Sequence, residues 1–348
     1  MHDLCWLDIQ QAEERIKGYI NETPIITSHY FNENSGFHVY MKAENFQKTG
    51  SFKARGAMNA IRRILEEEKE ACGVVTHSSG NHGAALAWAS KLHAVKCTVV
   101  VPSNAPKVKI EAIKTYGATV VLCEPTMEGR IAECQRIAEE EGAVIVHPHN
   151  DLDVMAGQGT MAMEILHQMH HKPDAILVPT GGGALTAGVA TWIRHAAPDT
   201  KVFAVVPEGK ELLEASLRAG SPQWEGPPQH LDTLADSIRP DRPGDLCFRS
   251  ILSHCEKEVF TVSNEEIVAT LKTAWERLKM VVEASTALAL SALFQPRLRE
   301  VLGPGEQKVL VILCGGNVDL DNLPWINACR KCSIVPMPPE PIFEAYER

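Results

Sequence analysis

The chain has 348 residues, 45% of them hydrophobic and 22% charged, which excludes disordered and fibrous classes and leaves room for one large domain or two intimate ones. Its 34 Lys and Arg face 44 Asp and Glu, and the net charge of −10 argues against a polyanion-binding surface and so against nucleic acid as a partner. Met1–Asp8 carries acids where a secretory leader needs a basic and then an apolar run, so a cytoplasmic location is expected. The 19 uncharged residues from Ala175 to Ile193 contain Pro179 and three successive glycines, so no membrane span is expected there. The ten cysteines are scattered, which reads as reduced thiols. Cys329 and Cys332 have metal-type spacing but no second pair, so no zinc site is expected.

In chain order, the first element that matters is the helix opening in Thr49–Gly56, with Lys53 near its start. From Gly73 onward, β-rich runs alternate with helical ones: GVVTH, a helix from Asn81, CTVVVP, KVKIEAIKTYG, TVVLC with Cys123 as a buried strand residue, a helix over 127–141, and VIVH. A return crossing is expected at His147–Asn150. Gly157-Gln-Gly159 superficially fits a dinucleotide fingerprint, but it follows a polar loop instead of a strand and is set aside. His167, His170 and His171 read as a solvated face of one helix. The alternation resumes as DAILVPT, a helix from Gly183 to about His195, KVFAVV, a helix near 210–219, an irregular surface excursion over 221–245, and KVLVIL before Cys314-Gly-Gly-Asn317. The tail from Val335 reads as extended. The pattern predicts an α/β fold with open, mostly parallel sheets and flanking helices. Two blocks are expected: a small mobile domain over 75–150, and a large domain made of 1–74 and 151–348.

Three strand-end turns carry chemistry. In Thr180-Gly-Gly-Gly183-Ala184-Leu185, glycines between a strand and a helix let backbone N–H groups converge, and the helix N-terminus adds partial positive charge, which suits phosphate. No Lys-Ser or Lys-Thr follows, so the turn is not a nucleotide P-loop. Ser78-Ser79-Gly80-Asn81-His82-Gly83 offers hydroxyls, an amide and free N–H groups to a carboxylate; its plainer reading is a helix cap by Ser79. Cys314–Asn317 opens at the same sheet edge if its strand is parallel, so the three turns are expected to converge. Lys53 at a helix start has its charged form disfavoured, which suits a nucleophilic amine; the plainer reading is a surface charge.

Together, SFKxRG, THSSGNHG, the glycine loop after VP, the acid of EAST and CGGN resemble the serine racemase and serine/threonine dehydratase family of fold-type II pyridoxal-phosphate enzymes, a tryptophan synthase β-like fold. The likeness runs from about Thr23 to Asp319, and THSSGNHG, VHP, AGQGT and GGNVDL look closest to eukaryotic serine racemases. The resemblance implies pyridoxal 5'-phosphate held by Lys53, with Phe52 beside the ring and Asn81 on its phenolic oxygen. It implies phosphate contacts from Gly181, Gly182, Gly183, Ala184 and Leu185. It places Cys314 against the pyridine nitrogen, with Glu283 near that end of the ring. The substrate carboxylate would sit in the turn of Ser78, Ser79, Gly80, Asn81 and His82, with Arg130 near the substrate. Lys53 and Ser79 would then serve opposite faces of the amino acid. The implied activity is racemisation of serine with β-elimination to pyruvate and ammonia. The alternatives are a dehydratase for serine, threonine or hydroxyaspartate, or a racemase for another small amino acid such as aspartate. A homodimer is implied.

The chain departs from the pattern in several places. The fourth glycine of the phosphate loop is Ala184, which requires a negative φ there. His149 displaces an Asn after VHP, leaving Asn150 as a substitute, and Ala84 replaces a Gln that helps bind ATP. Val206, Lys210 and Leu212 stand where the racemases hold Mg or Ca, so no metal is expected.

Overall fold

Ten strands account for the alternating apolar runs: β1 (Ile25–Thr27), β2 (His38–Ala43), β3 (Val74–His77), β4 (Cys97–Pro102), β5 (Thr119–Cys123), β6 (Val144–Ile145), β7 (Ala175–Pro179), β8 (Lys201–Pro207), β9 (Val259–Val262) and β10 (Lys308–Leu313). The computed structural model describes residues 2–67 and 73–325. Six strands form a sheet in the order β1-β2-β10-β7-β8-β9, and four form a second in the order β5-β4-β3-β6. Every pairing is parallel except β1 with β2. Parallel sheets are covered on both faces, which is why AILVP in β7 and CTVVVP in β4 are buried at every residue. The four-stranded sheet lies wholly within 74–145, and Met1–Asn317 form one compact unit.

Helix Leu152–Gln168 runs through the centre, packed against helices Lys53–Glu67 and Ala184–Ala196. Its glycines explain the sequence set aside above. A Cβ on Gly157 would lie 2.6 Å from Gly56 Cα, and one on Gly188 would lie 2.4 Å from Met155 O. The small residues let three helix backbones approach, and the crossing holds Lys53 at the first position of its helix. The uncharged stretch 175–193 divides into β7, a glycine turn and a helix. Among the described residues no helix is long and apolar enough to cross a membrane.

Four expectations need correction. β5 is an edge strand, so Cys123 is only partly buried and Leu122 is 56% exposed. The helix of His167 ends at Gln168, leaving His170 and His171 beyond it. The strand in VIVH is only Val144–Ile145, and the helix near 210 starts at Leu212. Cys5, Cys97, Cys123, Cys134, Cys247, Cys255 and Cys314 are free thiols, in line with the reduced-thiol reading. Cys329, Cys332 and the tail from Val335 lie outside the described residues.

Candidate active site

The carboxyl ends of β3, β7 and β10 run directly into the three turns singled out above, because the strands are parallel within their sheets. The turns converge. A cavity of about 200 Å³ is lined by Lys53, the whole turn Ser78–His82, Arg130, His149, Gly182, Glu283 and Asn317, among others. Behind it, a smaller space is lined by Phe52, Lys53, Asn81, Gly181–Leu185, Ser237 and Cys314.

Lys53 is anchored by its neighbour, since Phe52 N donates to Cys314 O at 3.1 Å. Its Nζ lies 5.2 Å from the Phe52 ring centroid and donates to Pro148 O at 2.7 Å. Burial pushes the amine down to about 8, only partly offset by Cys247, Cys314 and Glu283. The surface-charge reading of Lys53 therefore fails. Strained backbone leads into it: Thr49, a β-branched residue, has φ +58, with its carbonyl held by Asn317 Nδ2 at 2.8 Å.

The glycine turn is shaped as a cradle that side chains would fill. A Cβ on Gly181 would meet Ile238 Cα at 2.9 Å, one on Gly182 would meet the His149 ring at 2.1 Å, and one on Gly183 would meet Cys247 Cβ at 2.8 Å. Gly183 has φ +96 and caps the helix that begins at Ala184. Ala184 is absent from the positive-φ residues, which removes the objection to alanine there. The first helical N–H groups have no helical acceptor, and their residues line the inner space, so these residues fit a phosphate.

In the Ser78–His82 turn, Gly80 and not Ser79 caps the helix Asn81–Leu92, and the Gly80 N–H donates to Ser78 Oγ at 3.3 Å. The Ser79 hydroxyl is not spent on the cap. Asn81 Nδ2 donates to both oxygens of Glu283 at 2.9 and 3.1 Å, and its Oδ1 accepts from Asn317 at 2.9 Å. Burial, with Asp236 nearby, raises the Glu283 carboxyl, against hydrogen bonds from Asn81 and Ser237. Cys314 Sγ lies 3.7 Å from Glu283 Oε1 and 3.4 Å from Thr286 Oγ1, and burial holds it as a neutral thiol. Cys314 and Glu283 are therefore neighbours, Cys314 lining the inner space and Glu283 the outer cavity.

Several wall residues escaped sequence reasoning. His77, Lys109, His230, Asp236, Ser237 and Arg239 line the cavity, four of them from the segment read as a surface excursion. Its mix of His, Asp and Arg within a Pro-rich loop was the available signal. Burial holds His77 at about 4 and His147 at about 3, and lowers His82 and His149 well below the usual range, so these imidazoles are neutral. Lys109 pairs with Asp236, whereas Arg130 and Arg239 have no carboxylate partner among the described residues, and Arg130 Nε is buried without an acceptor. Asn150 is not the substitute expected. Its Oδ1 accepts from Leu246 N at 2.9 Å, and His149 is the residue that reaches the cavity. At the positions expected to lack a metal, Val206 and Lys210 are buried and Leu212 is half exposed.

The model of the family described as "Pyridoxal-phosphate dependent enzyme" matches residues 16–315. The chain is 43% identical over 316 residues to a serine racemase of Dictyostelium discoideum, covering 91% of this chain and 95% of that protein. It is 39% identical to a beta-hydroxyaspartate dehydratase of Paracoccus denitrificans, covering 91% and 98%. Among solved structures, a pyridoxal 5'-phosphate-dependent aspartate racemase superposes with a TM-score of 0.90 at 45% identity, covering 93% and 99%.

Proposed function

Because the chain belongs to the pyridoxal-phosphate dependent enzymes and has their fold-type II architecture, we propose that it racemises serine and also eliminates the serine β-hydroxyl to give pyruvate and ammonia. One observation carries this reading: Lys53 and Ser79, two groups able to move a proton, line one small cavity backed by the glycine cradle.

The cofactor, when bound, supplies an electron sink that acidifies the substrate Cα–H. Gly181–Gly183 and the N–H groups of Ala184 and Leu185 would hold its phosphate, and Phe52 would flank its ring. Cys314, a neutral thiol, would offer the ring nitrogen a hydrogen bond without a charge. The Ser78–His82 turn holds the substrate carboxylate with backbone N–H groups and hydroxyls. The Lys53 amine, whose neutral form is favoured by burial, would take the substrate α-proton on one face. Ser79 Oγ returns a proton on the other face, and two faces served invert the centre. Elimination draws on the same proton abstraction but expels the β-hydroxyl as water; hydrolysis of the released enamine then gives pyruvate and ammonia. The four neutral histidines add no charge that would compete for the substrate carboxylate.

A second reading, a dicarboxylic amino acid such as aspartate or 3-hydroxyaspartate, is favoured by the unpaired guanidinium groups of Arg130 and Arg239. The test is chiral chromatography and pyruvate or oxaloacetate release on L-serine, L-aspartate and L-threo-3-hydroxyaspartate. D-serine with pyruvate supports the first reading. Turnover confined to the dicarboxylates would replace it with the second. In Ser79→Ala, D-serine formation should fall at least about a hundredfold while elimination from L-serine stays measurable. Equal loss of both would mean that Ser79 only holds the carboxylate.

A further inference from the structure

Lys210 is a fully buried lysine with no acid in ion-pair contact among the described residues. It follows β8, and its Nζ donates to Gly181 O at 2.5 Å, Pro240 O at 2.8 Å and Thr180 O at 3.3 Å. Three N–H bonds meet three carbonyl oxygens. Buried lysines are rare unless paired with a carboxylate, and the carboxylate whose charge acts on this one, Asp241, is engaged by Arg242 at 2.8 Å. Burial pulls the Lys210 pKa down to about 7, partly offset by Asp241 and then Cys247. The carbonyls can only accept, and so favour the charged form.

The identity of the three carbonyls gives this arrangement its consequence. In a trans peptide the C=O and the following N–H point in opposite directions. Holding the carbonyls of Thr180 and Gly181 on one ammonium therefore turns the N–H groups of Gly181 and Gly182 the other way. Gly181 and Gly182 line the inner space. The third carbonyl, of Pro240, belongs to the loop that brings Asp236, Ser237 and Arg239 to the outer cavity. One side chain thus ties the phosphate cradle to the opposite wall.

We propose that Lys210 is a built-in cation: its ammonium acts as a positioning group that orients the Gly181 and Gly182 amides toward the cofactor phosphate, and the nest of three carbonyls accepts a free monovalent cation once the side chain is removed. This rests on the family cofactor and not on which amino acid is turned over. The cation costs nothing in association entropy because it is tethered. A neutral side chain of similar length would leave the carbonyls unpaired and the glycine peptides free to rotate.

The test measures pyridoxal-phosphate affinity of cofactor-free protein by fluorescence, with the 31P resonance of the bound phosphate as a second readout. Lys210→Met should raise Kd at least about tenfold and shift the 31P line, while Lys210→Arg stays within about threefold of the parent. Lys210→Ala should regain affinity on addition of ammonium or potassium chloride but not tetramethylammonium chloride, which is too large for the nest. The parent should be indifferent to all three salts. Parent-like Kd and 31P shift in Lys210→Met, or lost affinity in Lys210→Ala that no small cation restores, would overturn the proposal and leave Lys210 as a core anchor. Should the variants fail to fold, the parent decides: a threefold or larger gain in affinity from potassium over tetramethylammonium would show that the loop is governed by an unfilled cation site, contrary to the proposal.

Discussion

At the scale of single residues, Lys53 departs from an ordinary lysine by burial more than by any neighbouring charge. Desolvation disfavours its ammonium, and the thiols and carboxylate around it restore only part of the loss, leaving a pKa of about 8. The neutral form, which attacks an aldehyde, therefore makes up about one in ten molecules at pH 7 and dominates above pH 8, whereas a solvent-exposed lysine near 10.4 would be neutral in less than about one in a thousand at pH 7. Cofactor uptake by the cofactor-free protein should accelerate through pH 8 and level off by about pH 9, followed by stopped-flow absorbance. A rate still climbing in proportion to hydroxide beyond pH 9 would mean that Lys53 titrates normally. The lowered pKa follows from burial of the side chain, which Cys247, Cys314 and Glu283 only partly offset. From Gly-Ser-Phe-Lys the helix start and a disfavoured charge were legible, but not the burial that causes it.

At the scale of elements, much was legible where local chemistry and topology coincide. The unbroken apolar run AILVP in β7 is buried throughout, as expected of a central parallel strand, whereas the similar run TVVLC lies at a sheet edge and is partly exposed. In a parallel sheet carboxyl ends share an edge, which accounts for the meeting of the turns after β7 and β10; the turn after β3 belongs to the other sheet, and its approach depends on contacts between the two sheets' segments. The converging partners of those turns were not legible. His149 presses on Gly182 and the 230–240 loop carries five wall residues, yet these are contacts between segments far apart in the chain, and no local pattern encodes them. The same limit hid the purpose of Gly157-Gln-Gly159, since close helix crossing needs the glycines of two other helices to be known. Gly182 tests the cradle directly. With a Cβ due 2.1 Å from the His149 ring, Gly182→Ala must displace either the imidazole or the turn. Pyridoxal-phosphate affinity should fall by about tenfold or more, and removing the obstruction in Gly182→Ala with His149→Gly should recover part of it, a coupling visible only in the double variant. Additive losses would mean that the cradle fails for a reason other than this contact.

At the scale of the molecule, a buried charge cluster fixes the helix of Lys53 to the rest of the fold. Arg55, two residues beyond Lys53, forks onto Glu44 at 2.7 and 2.8 Å and reaches Glu164 at 2.8 Å on the central helix. Lys42 of β2 completes it, donating to Glu164 at 2.5 Å and to Thr23 O at 2.7 Å. Two cations balance two carboxylates, so the cluster is neutral as a whole, and each charge is tolerated only because the others are present. Burial raises the Glu44 carboxyl, but Arg55 outweighs it and holds the group below its ordinary value. Glu44 therefore contributes stability above its unfolded pKa of about 4.3, and that contribution is lost as pH falls through the lower folded value. Arg55→Met reverses the sign. Glu44 is then a buried carboxylate without its guanidinium, its pKa rises above the unfolded value, and folding takes up a proton. The substitution should cost about 3–5 kcal/mol at pH 8. The deficit should shrink toward pH 5, because the stranded carboxyl can protonate there while the parent gains nothing. Urea unfolding of parent and variant at both pH values measures this. Equal deficits at the two, or a loss under about 1 kcal/mol at pH 8, would show that the cluster is not what anchors the helix carrying Lys53.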